Sequence, residues 1–68
     1  MVVAVSVLQK ELANNPAIEA HLSQEALRVV EHQGYCEYYV QAWQAVFTWL
    51  DQQRVSYVFR PVSAETNH

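Results

Sequence analysis

The chain has one cysteine and one glycine among its 68 residues. A single cysteine excludes the internal disulfide on which many small secreted domains depend, so we expect a cytoplasmic protein. The single glycine, Gly34, excludes a glycine-rich loop that would hold a phosphate group. No run of apolar residues is long enough to span a membrane, and the amino end lacks the features of a signal peptide. We therefore expect neither a membrane span nor a signal peptide.

Positive charge is also scarce. The chain has four Lys and Arg residues against seven Asp and Glu residues, which gives a net charge of −3. Arg28 is the only base between Glu11 and Asp51. Because such a surface repels nucleic-acid backbones, we do not expect nucleic acid as a partner.

Apolar residues, in contrast, make up 51% of the chain, which is enough for one hydrophobic core. A chain of this length forms one small domain of marginal stability. We predict a single domain over residues 1–68, in which the polar residues 63–68 form a frayed tail.

The segment from Tyr35 to Gln53 contains both tryptophans and three of the four tyrosines. When it is plotted at 100° per residue, the polar side chains fall on one narrow stripe. The apolar arc then spans roughly 220°, about twice the width that a surface helix needs. We interpret residues 36–53 as a long central helix that must be covered on two sides.

Both ends of the chain have the composition of β-strands. The valines of residues 2–5 predict a short strand, and the alternating pattern of residues 55–60 predicts a second strand that Pro61 ends. The second strand needs a partner, because isolated strands leave backbone groups unpaired. The partner could be the strand at 2–5, the same strand in a second copy, or a strand of another protein.

The residues between these segments carry helix start and stop signals. Ser6 begins one predicted helix that ends at Asn14, and Pro16 begins a short helical turn. Ser23 is positioned to cap a further helix over residues 24–33, which Gly34 ends. The predicted fold is mainly α: a small three-helix domain with the central helix at 36–53 and the C-terminal strand at 55–60.

His32 and Cys36 are the best candidates for chemistry, since they are four residues apart. Gly34 lies between them and interrupts the helix, and structural zinc sites need four ligands. We therefore expect no metal, no cofactor, no catalytic residue and no enzymatic activity. A small metal-dependent or thiol-dependent enzyme that uses His32 and Cys36 stays open as an alternative.

A second alternative is a small DNA-binding regulator of the helix-turn-helix type. Leu27, Gly34 and Trp43 roughly match the spacing of its two helices and the glycine turn. The second helix would carry no Lys or Arg to bind phosphates, so this alternative ranks below protein binding.

One flank of the central helix has no obvious partner inside the chain. It carries small residues between two aromatic residues, which is typical of a contact surface. The predicted interface residues, including two from the C-terminal strand, are Tyr38, Ala42, Ala45, Trp49, Tyr57 and Phe59.

We therefore predict a non-catalytic protein-protein interaction module, a homodimeric small adaptor or regulator that also binds another protein. A carrier of hydrophobic ligands is a further option. Because one short chain leaves little room for a cavity of ~300 Å³, a carrier would also require a dimer.

Overall fold

A computed structural model, which describes residues 1–62, contains four β-strands and three α-helices. In chain order they are β1 (Val2–Leu8), α1 (Gln9–Asn14), α2 (Pro16–Glu25), β2 (Arg28–His32), β3 (Tyr35–Val40), α3 (Trp43–Gln52) and β4 (Val58–Val62). The prediction of a mainly α domain is wrong, because the protein is a small α+β domain with one four-stranded antiparallel sheet. The tail predicted at 63–68 lies outside the described residues.

The strand order in the sheet is β2-β3-β1-β4, and each neighbouring pair is antiparallel. It follows that β1 and β2 run parallel with β3 between them, and that β3 and β4 run parallel with β1 between them. A helical connection joins each parallel pair: α1 and α2 join the first, and α3 joins the second. This β-α-β-β-α-β order is the split βαβ, or ferredoxin-like, topology, which does not by itself imply a function.

All three helices contribute to one core on one face of the sheet. In β1, the side chains of Val3, Val5 and Val7 are buried, because alternate residues of a strand point to the same face. The other buried apolar residues of this core are Leu12, Ile18, Leu22, Cys36, Tyr38, Val40, Val46, Leu50 and Val55. No helix within residues 1–62 is long and apolar enough to cross a membrane.

The long central helix predicted at 36–53 does not exist. Its first part is the strand β3, and only the residues from Trp43 onward form a helix, α3. In β3, Tyr35, Glu37 and Tyr39 face away from the helices, while the residues between them face the core. A strand with aromatic residues on both faces gives a very wide apolar arc when it is plotted with helical periodicity. The excess width indicated a strand rather than a helix covered on two sides.

The helix predicted at 24–33 is also wrong. The helix α2 continues past Ser23 to Glu25, and residues 28–32 form the strand β2. The Ser23 hydroxyl donates a hydrogen bond to Glu19 Oε2 at 3.2 Å, so it does not cap a new helix. The β-branched Val29 and Val30 favour a strand, and β3 supplies the partner for their backbone groups.

The terminal strands exist, but their bounds differ from the predicted ones. The first extends beyond 2–5 to Leu8, so α1 begins at Gln9 instead of Ser6. The second covers Val58–Val62 instead of 55–60, because the backbone N–H of Val55 still bonds to the Leu50 carbonyl of α3 and Pro61 lies within the strand. The two strands pair with each other within the chain, which is one of the three arrangements that the sequence left open.

Gly34 lies in the two-residue turn that joins β2 to β3, where His32 pairs with Tyr35. Its φ is +91°, a conformation that L side chains rarely adopt. Its carbonyl oxygen accepts a hydrogen bond from the backbone N–H of Gln9 at 3.0 Å, which joins the turn to the start of α1. The glycine is therefore needed for its backbone conformation, but in a hairpin turn and not at the end of a helix.

We expect Gly34→Ala to lower the free energy of unfolding by about 1–2 kcal/mol, the usual cost of a left-handed conformation for an L residue. An added Cβ atom would meet no atom within 4 Å, so the loss comes from the backbone alone. Gly34→Asn, which tolerates positive φ better, is the matched variant and should lose less. Urea unfolding followed by circular dichroism measures both. Equal losses for Ala and Asn would contradict this explanation.

Candidate functional site on the open sheet face

The sheet face opposite the helices, which we call the open face, carries polar and aromatic side chains together with a few small or aliphatic ones. Residues that pair directly across neighbouring strands lie on the same face, so the register identifies this set. Its central members are Ala4, Ser6, Leu8, Arg28, Val30, His32, Tyr35, Glu37, Tyr39, Val58 and Arg60. No helix within the described part of the chain covers this face.

Glu37 lies at the centre of the open face and is only 8% exposed. Its Oε1 is 3.1 Å from His32 Nε2 and accepts a longer hydrogen bond, 3.5 Å, from the Tyr39 hydroxyl. Its Oε2 is 3.2 Å from Arg60 Nη2. Side chains from three strands, β2, β3 and β4, thus contact one buried carboxylate. A buried charge needs such partners, and Glu37 has them.

The pKa of Glu37 reflects two opposing effects, burial of the carboxylate and its contacts to His32 and Arg60. Burial raises the pKa, but hydrogen bonds from His32 and Arg60 and their charges outweigh burial, so the pKa lies below its ordinary value of 4.5. Glu37 therefore stays ionised at neutral pH.

Ala4 explains how Arg60 reaches across the sheet. It lies between Tyr39 on one side and Arg60 on the other. Arg60 Nη2 donates a hydrogen bond to the Tyr39 hydroxyl at 3.3 Å. The two side chains thus meet above Ala4, which is fully buried although none of the three described helices covers it. A larger residue at this position would hold the two side chains apart.

Two aromatic contacts fix the outer part of the open face. The rings of His32 and Tyr35 stack with centroids 4.5 Å apart and planes 15° from parallel. The Arg28 guanidinium lies 5.7 Å from the centre of the Tyr39 ring, within the range of a cation–π contact. The polar group is therefore held by packing on neighbouring strands as well as by hydrogen bonds.

A cavity of about 470 Å³ opens beside Glu37. Its lining comes from β1, β3, β4 and the two residues before β4, and consists of Ser6, Leu8, Tyr35, Glu37, Ser56, Tyr57, Val58 and Arg60. The walls are mostly apolar, with the carboxylate, the guanidinium and the hydroxyl groups of two serines and two tyrosines among them. Such a combination is typical of small-molecule sites.

The structure does not bring His32 and Cys36 together. His32 lies on the open face with Glu37, whereas Cys36 is buried in the core on the opposite face of the sheet. Within residues 1–62, no group of three or more His, Cys, Asp or Glu side chains could hold a metal ion. The region considered for a helix-turn-helix forms the β2–β3 hairpin.

The residues predicted as an interface do not form one surface. They are Tyr38 in β3, Ala42 and Ala45 at the start of α3, Trp49 later in α3, Tyr57 before β4 and Phe59 in β4. Tyr38 is 1% exposed in the core, where burial raises its pKa, and is not accessible to a partner. Trp49 stacks on His21 of the same chain, with ring centroids 3.9 Å apart.

The other predicted interface residues have separate surroundings. Ala42 and Ala45 are exposed on the helical side. The ring of Phe59 packs on that of Phe47, with centroids 4.6 Å apart, but Phe59 remains 56% exposed. Only Tyr57 lines the cavity, and its hydroxyl donates a hydrogen bond to Asp51 at 3.0 Å. Their use as an interface stays a prediction.

The sequence interpretation missed Glu37, Tyr39 and Arg60 as a group. It placed Glu37 on the polar stripe of a helix, where it would be solvated. The alternation of Tyr35, Glu37 and Tyr39 at a period of two was the available signal, since it predicts a strand with these side chains on one face.

No family model matches the chain, and no curated protein or solved structure is significantly similar to it.

We expect Glu37→Gln to lower the free energy of unfolding at neutral pH by roughly 1 kcal/mol or more, because charged hydrogen bonds to His32 and Arg60 are lost. The folded pKa of Glu37 is lowered, so its stabilisation is present above 4.5 and is lost as the pH falls through the folded value. The difference between wild type and variant should therefore shrink below pH 4.5. Urea unfolding over this pH range measures it.

Glu25→Gln is the control for the loss of one negative charge, because Glu25 is exposed at the end of α2. It should change stability little at any pH. A difference between wild type and Glu37→Gln that stays constant down to about pH 3 would contradict the assigned role of the carboxylate.

Proposed function

We propose that the protein is a non-catalytic binding domain that takes a small apolar ligand in the open-face cavity. The observation that carries this proposal is the cavity itself. Its volume, about 470 Å³, falls within the range of known small-molecule sites, and apolar walls surround a few convergent polar groups.

Two exposed apolar side chains at the cavity support this proposal. Leu8 is 45% exposed and Val58 is 69% exposed. Complete burial of such a side chain contributes about 1.5–3 kcal/mol, so a ligand that covers both would gain part of this energy. The cavity needs no second chain, because the open face forms it at the surface and the core does not have to enclose it.

The state of Glu37 favours binding over catalysis. A general base must be free to take a proton from a substrate. Glu37 already accepts hydrogen bonds from Tyr39 and Arg60 and lies against His32, and its lowered pKa makes it a weak base. Its geometry suits a group that positions other side chains.

We expect neutral 3-phenylpropanamide to bind in the cavity, with a Kd of about 1 mM for a ligand of this size. Amide nitrogen–proton NMR spectra should show shifts at Ser6, Leu8 and Val58. Val58→Glu should weaken binding at least fivefold, because it replaces an apolar wall with a charge. Val29→Glu is the matched control, since Val29 is also an exposed valine on an edge strand but lies on the helical face.

The two variants are compared at a protein concentration at which both have the same oligomeric state, as judged from their masses in solution. Equal weakening by both variants, or shifts confined to residues outside the cavity, would contradict the proposal. The absence of any shift at an amide concentration about tenfold above the expected Kd would also contradict it.

Self-association, which the sequence predicted, is a second candidate, and a different observation supports it. Within residues 1–62, no strand pairs with the outer edge of β2. Leu27 is 63% exposed beside this edge and Val29 is 44% exposed on it. The opposite edge, β4, carries Arg60 and Pro61, which discourage strand pairing. Two β2 strands that pair antiparallel would form a symmetric dimer with a continuous sheet.

We expect light scattering after size exclusion, at about 100 μM protein, to detect a dimer, and Val29→Lys to shift it to monomer because charges on an edge strand oppose pairing. Ala42→Glu tests the surface that the sequence predicted and should leave the dimer intact. Dissociation by Ala42→Glu alone would place the contact on α3. A wild-type monomer at this concentration would reject self-association without affecting the proposed ligand site.

A further inference from the structure

We infer that the ligand of the open-face cavity is a small apolar carboxylic acid whose carboxylate binds Arg60. This inference rests on the proposed function and adds the chemical class of the ligand. It follows from the hydrogen bonds that the two charged groups of the lining already make, and from those that remain free to bind a ligand.

Arg60 lines the cavity and has more N–H donors than its contacts to Glu37 and Tyr39 use. Its guanidinium carries five N–H donors in a planar arrangement that matches a carboxylate. Within the described residues, the contacts to Glu37 and Tyr39 both use Nη2. The Arg60 side chain is 60% exposed, so Nε and Nη1 are available to a ligand without breaking these contacts.

Glu37, in contrast, has little capacity left. A carboxylate has about four acceptor positions, and three neighbouring side chains already lie against the two oxygens of Glu37. Its side chain is only 10% exposed. A cationic ligand would have to displace Arg60 or His32, whereas an anionic ligand needs no displacement.

Glu37 also orients Arg60 before a ligand arrives. The guanidinium is held at 3.2 Å from Oε2 and at 3.3 Å from the Tyr39 hydroxyl, so its free donors keep a limited range of directions. A group that is already oriented loses less entropy on binding, which increases affinity. Arg28, which lies over Tyr39, adds a second positive charge to the open face.

The remaining lining residues determine the rest of the ligand. Tyr35 and Tyr57 provide aromatic surfaces, Leu8 and Val58 provide aliphatic ones, and Ser6 adds a hydroxyl. These walls suit an aromatic ring or a branched alkyl group on the carbon chain of the acid. A strongly polar ligand such as a nucleotide would leave them uncovered.

The test compares three probes that share one apolar group: 3-phenylpropanoate, 3-phenylpropanamide and 3-phenylpropylammonium. NMR titrations of wild type, Arg60→Gln and Arg28→Gln give nine affinities. We expect wild type to bind the carboxylate about tenfold more tightly than the amide, as charged hydrogen bonds allow. Raising the salt concentration should reduce this ratio, because Arg60 is partly exposed.

Arg60→Gln should abolish the preference for the carboxylate. It should also produce a preference for the ammonium probe, because Glu37 then has an oxygen without its cation. This gain of binding cannot arise from unfolding. Arg28→Gln removes the same charge from the same face but not from the cavity lining, so it should retain the preference for the carboxylate.

The outcomes separate the two proposals. If wild type binds the amide and the carboxylate equally, the ligand class is wrong and the proposed binding function stands. If Arg28→Gln and Arg60→Gln reduce the preference equally, the field of the whole face and not contact with Arg60 is responsible, which also overturns the inference. If no probe binds, the proposed function itself fails.

Discussion

The pairing of β1 on both of its sides is the constraint on which the rest of the structure depends. Val3, Val5 and Val7 face the helices, and the small residues Ala4 and Ser6 face the opposite side. A slip of one residue in either register would move the valines out of the core, which fixes both pairings at once. Those registers bring Glu37 of β3 and Arg60 of β4 to the same part of the open face, although a full strand lies between them.

The ion pair that results is better understood as a positioning device than as the source of stability. Buried ion pairs often contribute little net stability, because desolvation offsets the attraction between the charges. Here the pair holds an arginine beside an apolar cavity, on strands that packing keeps in place. Sites on strands hold their side chains more precisely than sites on loops. The open face is therefore the side of the domain with the features of a binding site.

Parts of the fold were predictable, and the two largest errors have one cause. The valine-rich start, a strand near the carboxyl end, the start of helical structure at Pro16 and the need for a glycine at position 34 all follow from local chemistry. Residues 28–32 and 35–40 were read with helical periodicity, and both are strands. Tyr, Val and Cys fit either pattern in a short segment, because their strand preference depends on which neighbours cover each face. Because of this error, Glu37, His32 and Tyr39 were not predicted to lie together on one face.

By itself, the sequence determined which residues are apolar enough to be buried, where the chain must turn, and that no internal disulfide can form. These properties depend on single residues and their immediate neighbours. Only the tertiary structure decided which strands are neighbours, that no helix of residues 1–62 covers one face of the sheet, and that Glu37 meets Arg60 there. The physical reason is that strand pairing is a long-range interaction. Its energy depends on residues that are distant in the chain, and no local pattern around Glu37 or Arg60 specifies the partner.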